Sequence, residues 1–207
     1  NEKLVVAKED IEYRTLADNS VMPEGQIDEM QPQEIRDLIA YLASPSQVPL
    51  PGAGPQFSPN GRVGGAIEAE SLSVINKSSG NAAAQGMGNF KAGRWSGDGQ
   101  LWWTGAKIGD ELTLAIPAET AGDYEVFLAM TQARDYGIFE IAINGQAVGE
   151  PIDLFNPEVV STGPISLGTV PLDVGTNELQ VRILGANAKA VKSYMFGLDY
   201  VYLKSAP

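Results

Sequence analysis

The sequence predicts an all-β protein, an antiparallel β-sandwich preceded by a short helical fragment. From residue 66 onward, apolar and polar residues alternate with the period of two that half-buried strands show. Glycine-containing turns separate these segments, and no helical pattern lies between them. Many short strands without intervening helices favour a sandwich or jelly roll over a parallel α/β arrangement.

The alternation is clearest in four segments, which are 111–116, 123–130, 137–143 and 177–184. In the first of them, Leu112, Leu114 and Ile116 share one face. The third ends in Asn144-Gly145, the dipeptide most typical of a two-residue hairpin turn. We therefore expect these segments to form the strands of the sandwich.

A helix is predicted at residues 32–43, in a part of the chain that lacks the strand pattern. Pro32 suits the first helical position, and Ile35, Leu38 and Leu42 fall on one apolar face. Residues 1–44 offer little else to bury that face, and so short a segment rarely folds alone. We interpret it as the remnant of another domain.

Residues 45–65 contain five prolines and five glycines and show no apolar periodicity, which predicts a semi-stiff linker. The chain therefore divides into a fragment at 1–44, the linker at 45–65 and the sandwich at 66–207.

Composition excludes several classes of function. The net charge is −12, with 26 acidic against 14 basic residues, which argues against nucleic-acid binding. The absence of histidine and cysteine rules out a Ser-His-Asp triad, a thiolate nucleophile and an ordinary zinc site. A two-carboxylate glycosidase remains, but no spacing singles out a pair among Asp98, Asp135, Asp153 and Glu158. We expect no enzyme activity, and no segment is apolar enough to span a membrane.

Three acidic residues lie in the predicted first and last strands. Glu68 and Glu70 fall on the same face of the first strand, where their charges repel unless a positive group lies nearby. Asp199 shares a face of the last strand with Val201 and Leu203, and a buried carboxylate there needs a partner. Calcium would satisfy all three acids. The alternative is a solvated outer face for the two glutamates and a backbone or arginine partner for Asp199.

The aromatic residues point to a ligand site. All three tryptophans lie in residues 94–103, and an exposed indole can stack on a sugar ring while neighbouring polar groups bind its hydroxyls. Trp95, among glycines, is the best candidate for an exposed ring, although core packing is an alternative for each tryptophan. A second polar-aromatic cluster lies in a loop between strands. The candidate ligand-binding residues are Trp95, Asp98, Trp102, Arg134, Asp135 and Tyr136.

Short motifs in residues 64–204 resemble carbohydrate-binding modules of families 6 and 35. They include Ile67-Glu-Ala-Glu70, Ala121-Gly-Asp-Tyr-Glu-Val126, the Asn144-Gly145 turn and Gly197-Leu-Asp-Tyr-Val201. The resemblance implies a galactose-binding-like jelly roll. It also implies a structural calcium on Glu68 or Glu70 and Asp199.

Residues 20–25 and 32–42 resemble the end of a haem-binding cytochrome c-type domain of planctomycete bacteria. In such domains the methionine before a proline is the axial iron ligand, which would be Met22 in a full-length protein. The haem c attachment motif is missing from this chain, because it has no cysteine.

Together these features predict a non-catalytic, carbohydrate-binding-like module at the C-terminus of a larger extracytoplasmic haem or dehydrogenase-type protein. Its partner would be a polysaccharide or glycan, and calcium would be structural. The alternative is a structural or docking module, for an upstream haem domain or a dehydrogenase, that has no sugar site and buries Trp95 and Tyr136.

Overall fold

In a computed structural model, the protein is described at residues 30–43, 55–90 and 95–206. It divides into two units, residues 1–50 and 51–207. The first contains helix α1 at Pro32–Ala43, as predicted. The side chains of Leu38 and Ile39 on this helix are exposed. Met22 lies outside the described residues.

The second unit is an antiparallel β-sandwich, which confirms the predicted fold class. Its strands, in the order of the described chain, are β1 (Ile67–Glu68), β2 (Val74–Lys77), β3 (Asn81–Gly86), β4 (Gly99–Thr104), β5 (Glu111–Ala118), β6 (Gly122–Gln132), β7 (Ile138–Ile143), β8 (Gln146–Ala147), β9 (Ile152–Asp153), β10 (Val160–Leu172), β11 (Gly175–Gly185) and β12 (Phe196–Ser205).

The strands form two sheets. Sheet I has the order β10-β6-β12-β4-β3, with β1 paired to β12. Sheet II has the order β2-β5-β11-β7-β8, with β9 paired to β7. Because β1 pairs with β12 through Ile67 opposite Val201, the first and last strands lie side by side, as the resemblance implied.

The core lies between the two sheets and consists of the apolar halves of the alternating strands. Sheet II contributes Leu112, Leu114 and Ile116, all fully buried. Phe139 of sheet II meets Phe196 of sheet I with ring centroids 5.0 Å apart. The turn between β7 and β8 has positive φ at both Asn144 (49°) and Gly145 (80°), the backbone that the predicted hairpin requires.

The beginning of the sandwich differs from the prediction. Residues 55–65, which the sequence analysis assigned to the linker, are folded on the sandwich: Phe57 bridges to Val63, and Val63 is 3% exposed against Ala129 and Tyr200. The prediction was wrong for these residues because proline and glycine occur both in linkers and in tight turns. Composition alone does not distinguish the two. We call residues 55–65 the strap.

Candidate functional site

The three predicted metal ligands lie close together, but two of them occupy other backbone positions than expected. Strand β1 ends at Glu68, and Glu70 belongs to a single 3-10 turn at Ala69–Ser71, so the two glutamates do not alternate along one strand. The chain changes direction at Ala69, the first residue of this turn, whose side chain is fully buried.

Asp199 lies in a β-bulge of strand β12. The register with β6 shifts between Leu198 and Tyr200, and both Leu198 and Val201 face the core. The bulge therefore removes Asp199 from the core-facing set in which the sequence analysis placed it with Val201 and Leu203. The Asp199 side chain is nevertheless 0% exposed, so its carboxylate needs compensation.

Ser96 joins the first strand to the last. Its backbone N–H donates to Asp199 Oδ1 at 2.9 Å, and its hydroxyl donates to Glu68 Oε1 at 2.8 Å. Ser96 is fully buried and was not singled out in the sequence, because a lone serine in a glycine-rich loop carries no distinctive signal. Glu68 also forms an ion pair with Arg62 of the strap, with Nη1 and Oε1 2.8 Å apart.

Each of the three acids retains one buried oxygen without a hydrogen-bond partner. These atoms are Glu68 Oε2, Glu70 Oε2 and Asp199 Oδ2. We refer to Glu68, Glu70 and Asp199 as the carboxylate cluster. Among the described residues, Arg62 forms an ion pair with this cluster, and its side chain is about half exposed. The cluster therefore carries more buried negative charge than its neighbours balance.

The electrostatics of the carboxylate cluster reflect this imbalance. Burial, together with the charges of Glu68 and Glu70, raises the pKa of Asp199 to about 8 against the hydrogen bond from Ser96. Burial also raises the pKa of Glu70. Both shifts disfavour the charged form of the carboxyl, and a nearby positive group would oppose them.

The chemistry of the carboxylate cluster fits a hard cation, although its geometry is incomplete. Calcium takes several oxygen ligands from carboxylates and carbonyls, and three orphaned carboxylate oxygens supply part of such a set. Across residues 30–43, 55–90 and 95–206, no three acidic side chains stand in a finished metal-binding geometry. Buried carboxylate oxygens without partners are costly, which favours a cation beside them.

The candidate ligand-binding residues are brought only partly together. Trp95, expected to be exposed, is 2% exposed, and its indole N–H donates to Thr131 Oγ1 at 2.8 Å. The expectation of an exposed Trp95 is therefore wrong, because its indole lies against Thr131 of sheet I. Tyr136 is 4% exposed. Burial raises the pKa of Tyr136 to about 12, against hydrogen bonds to Gln100 and Trp102.

Four other candidates retain access to solvent. Trp102 is partly exposed, Asp135 is partly exposed, and Asp98 and Arg134 are exposed. Asp98 lies in the turn after Trp95, away from the loop of Arg134 and Asp135 in sequence. Trp103, next to Trp102 on β4, is fully buried, as expected for consecutive residues of a strand that point to opposite faces.

Gln100, which the sequence analysis did not consider, connects the aromatic residues. Its amide oxygen accepts from Thr131, and its amide nitrogen donates to Gln85 Oε1 at 2.6 Å and to the Tyr136 hydroxyl at 3.3 Å. Gln100 is fully buried among them. A glutamine on a strand carries no sequence signal for this role, which depends on which strands become neighbours.

Small residues flank Trp102 on both neighbouring strands. In the register of sheet I, Trp102 lies opposite Ala83 of β3 and Gly197 of β12. A Cβ atom at Gly197 would collide with the Gln100 amide oxygen and lie 2.9 Å from the Tyr136 hydroxyl. Glycine at 197 thus makes room for two polar groups beside the indole.

Phe90 adds an exposed ring near this surface. It is 38% exposed and contacts Trp95 with centroids 5.6 Å apart and planes tilted by 50°. We call Gln85, Phe90, Gln100 and Trp102 the amide–indole surface. Phe90 is linked to Gln100 through Trp95 and Thr131, and Gln100 is bonded to Gln85.

Comparison with solved structures supports the fold. A Paenibacillus xanthan lyase matches with a TM-score of 0.59 and 22% identity over 78% of this chain, which spans 15% of the lyase. Family 35 carbohydrate-binding modules are also among the similar structures. One from an environmental isolate has a TM-score of 0.44 and 14% identity, covering 69% of this chain and 98% of the module. One from Clostridium thermocellum has a TM-score of 0.42 and 18% identity, covering 68% and 98%.

No protein-family model matches the sequence, and no curated protein matches it. The likeness to the lyase, at 22% identity, establishes a shared fold and nothing about ligands. Among the described residues, no helix is long and apolar enough to cross a membrane.

Proposed function

We propose that the sandwich is a non-catalytic carbohydrate-binding module in which Gln85, Phe90 and Trp102 of the amide–indole surface contact the sugar. The observation that carries the proposal is the partly exposed indole of Trp102, which has small residues on both sides and buried amide and hydroxyl groups beside it. An indole face stacks on the apolar face of a sugar ring, and amides supply the hydrogen bonds that fix its hydroxyls. Binding would make and break no covalent bond.

The proposal assigns different roles to the residues of this surface. Trp102 and Phe90 supply aromatic rings, and Gln85 supplies an amide at the rim. Gln100 is fully buried and hydrogen-bonded, so it acts as a positioning residue for Trp102 and Tyr136. Trp95 supports Phe90 from below and does not touch the sugar.

Binding is tested by titrating the protein with polysaccharides in millimolar calcium, beginning with xanthan and continuing through mannans and galactans. Trp102→Ala is expected to weaken binding by about tenfold or more, because ring stacking is removed. The matched control is Val174→Ala, which shortens an apolar side chain that is 67% exposed in the turn before β11. Absence of binding to every polysaccharide, or equal loss in both variants, would refute the sugar site.

We further propose that the carboxylate cluster holds a structural calcium ion. Glu68, Glu70 and Asp199 would be its side-chain ligands, and their orphaned oxygens support this assignment. The ion would neutralise the buried charges and fasten the first strand to the last. Calorimetric titration of the metal-free protein with calcium, compared with magnesium, tests it directly. No heat of binding to the cluster in the wild type would exclude the site.

The burial of Trp95 and Tyr136 favours a second candidate, a structural or docking module without a sugar site. In a longer extracytoplasmic protein, such a module would position the upstream part, which we propose is a haem domain whose axial ligand is Met22. A substitution at Trp102 distinguishes the two candidate functions. A docking module predicts that Trp102→Ala leaves polysaccharide titrations unchanged while it weakens capture of the haem domain or its dehydrogenase partner.

A further inference from the structure

The strap is fastened to the sandwich at the same place where the carboxylate cluster lies. Val63 N–H of the strap donates to the Ser96 hydroxyl at 2.9 Å, and that hydroxyl in turn donates to Glu68 at 2.8 Å. Gly97 N–H donates back to the Gly61 carbonyl of the strap at 3.0 Å. The serine hydroxyl is therefore a shared point of the strap, the first strand and the cluster.

Arg62 provides a second connection. Its guanidinium pairs with Glu68 and lies over Gly97, where a Cβ atom would come within 3.0 Å of Arg62 Cζ. Gly97 has φ of +62°, so its lack of a side chain serves both the backbone turn and the space for the guanidinium. The strap itself is closed by a turn in which Ser58 N–H donates to the Arg62 carbonyl at 2.7 Å.

The strap also carries buried residues. Val63 is 3% exposed and lies in a small cluster with Ala129 and Tyr200 that is separate from the main core, and Pro55 is buried as well. Phe57 is 43% exposed. The attachment of the strap therefore includes the packing of Val63 and the bonds to Ser96, Gly97 and Glu68.

We infer that the carboxylate cluster is a latch for the strap, so that cation occupancy controls whether residues 55–65 stay fastened to the sandwich. This inference rests on the calcium ion proposed above. Without a cation, one buried oxygen of each acid in the cluster has no hydrogen-bond partner, and opening the cluster to water supplies one. Opening moves Glu68 away from the Ser96 hydroxyl, and the Val63 and Gly97 hydrogen bonds are lost with it.

The latch is tested by hydrogen exchange on the full chain, with calcium and with a chelator. The amides of Val63 and Gly97 are expected to exchange at least about tenfold faster after chelation, while the amides of Val181 and Leu128 in the core change less. Trypsin provides an independent readout, since the bond after Arg62 becomes accessible only when the strap is released.

Two variants distinguish the latch from general loosening. Ser96→Ala removes the shared hydroxyl, and we expect fast Val63 exchange with or without calcium while calcium still raises the melting temperature. Arg62→Gln removes the positive charge and with it the ion pair but leaves the Ser96 hydroxyl in place, and it should accelerate Val63 exchange to a smaller extent.

The possible failures are distinguishable. If calcium does not bind, as judged by calorimetry, the proposed ion is refuted and the latch falls with it. If calcium binds and raises the melting temperature but Val63 and Gly97 exchange at the same rate in both conditions, the ion stands and the latch is refuted. Equal acceleration of Val63 and Val181 on chelation would also refute it, because that result describes global unfolding.

Discussion

Replacing Asp199 by asparagine should have opposite effects on stability in the metal-free and in the calcium-loaded protein. The carboxylate of Asp199 is 0% exposed, one oxygen accepts from Ser96, and the other has no partner. Asparagine keeps the shape and the acceptor oxygen but removes the buried charge. We therefore expect Asp199→Asn to be at least as stable as the wild type in chelator, yet less stable in calcium.

The magnitude follows from ligand linkage. Calcium at one hundred times its dissociation constant stabilises the folded state by about 2.7 kcal/mol. For a domain of this size that free energy corresponds to a rise in Tm of about 5–10 °C. In Asp199→Asn we expect this rise to shrink to a small fraction of the wild-type value, because one charged ligand is missing.

The assay is thermal unfolding followed by circular dichroism, for both proteins, in calcium and in chelator. The four melting temperatures form a cycle in which only the interaction between Asp199 and calcium remains after subtraction. An equal calcium effect in both proteins would refute the reasoning. So would a large loss of stability of Asp199→Asn in chelator, because it would mean that the carboxylate is satisfied without a metal ion.

Further predictions concern the same region. Burial raises the pKa of Asp199 to about 8, whereas the pKa of an aspartate in the unfolded chain is about 4. Between these pH values the chelated protein takes up a proton on folding, so its Tm should fall as pH rises from about 4 to about 8. Thermal melting at a series of pH values measures this decrease. Gly99→Ala places a Cβ atom 2.6 Å from Glu70 Oε1, so it should reduce the calcium-induced rise in Tm, whereas Gly86→Ala, its partner across β3 and β4 with open space around it, should not. Trp95→Phe removes a buried indole hydrogen bond and should lower the free energy of unfolding in urea by about 1–3 kcal/mol; no change would mean that the ring contributes nothing at this position.

The strands were predictable because their alternation has a direct physical cause. Leu112, Leu114 and Ile116 must face one core, and the sequence places them two apart, so their strand and its buried face follow together. The Asn144-Gly145 turn is equally local, since both residues tolerate positive φ. These features depend on neighbours in the chain and on nothing further away.

The candidate site was less predictable because it depends on long-range pairing. Ser96 contacts Asp199 across 103 positions of the chain, and no local pattern announces that contact. Trp95 looked exposed because glycines surround it, but its partner Thr131 lies on a different strand. The bulge at Asp199 also breaks the alternation from which its orientation was inferred.

The pairing of β1 with β12 has a mechanical consequence. Ile67 lies opposite Val201 and Glu68 opposite Tyr200 in an antiparallel pair, so a tension applied between the entering chain and the departing chain peels these strands apart one rung at a time. Peeling loads each rung in turn, whereas sliding would load all of them together. Resistance to stretching between the first and last strands therefore comes from two residue pairs, and the carboxylate cluster beside them bears the force next.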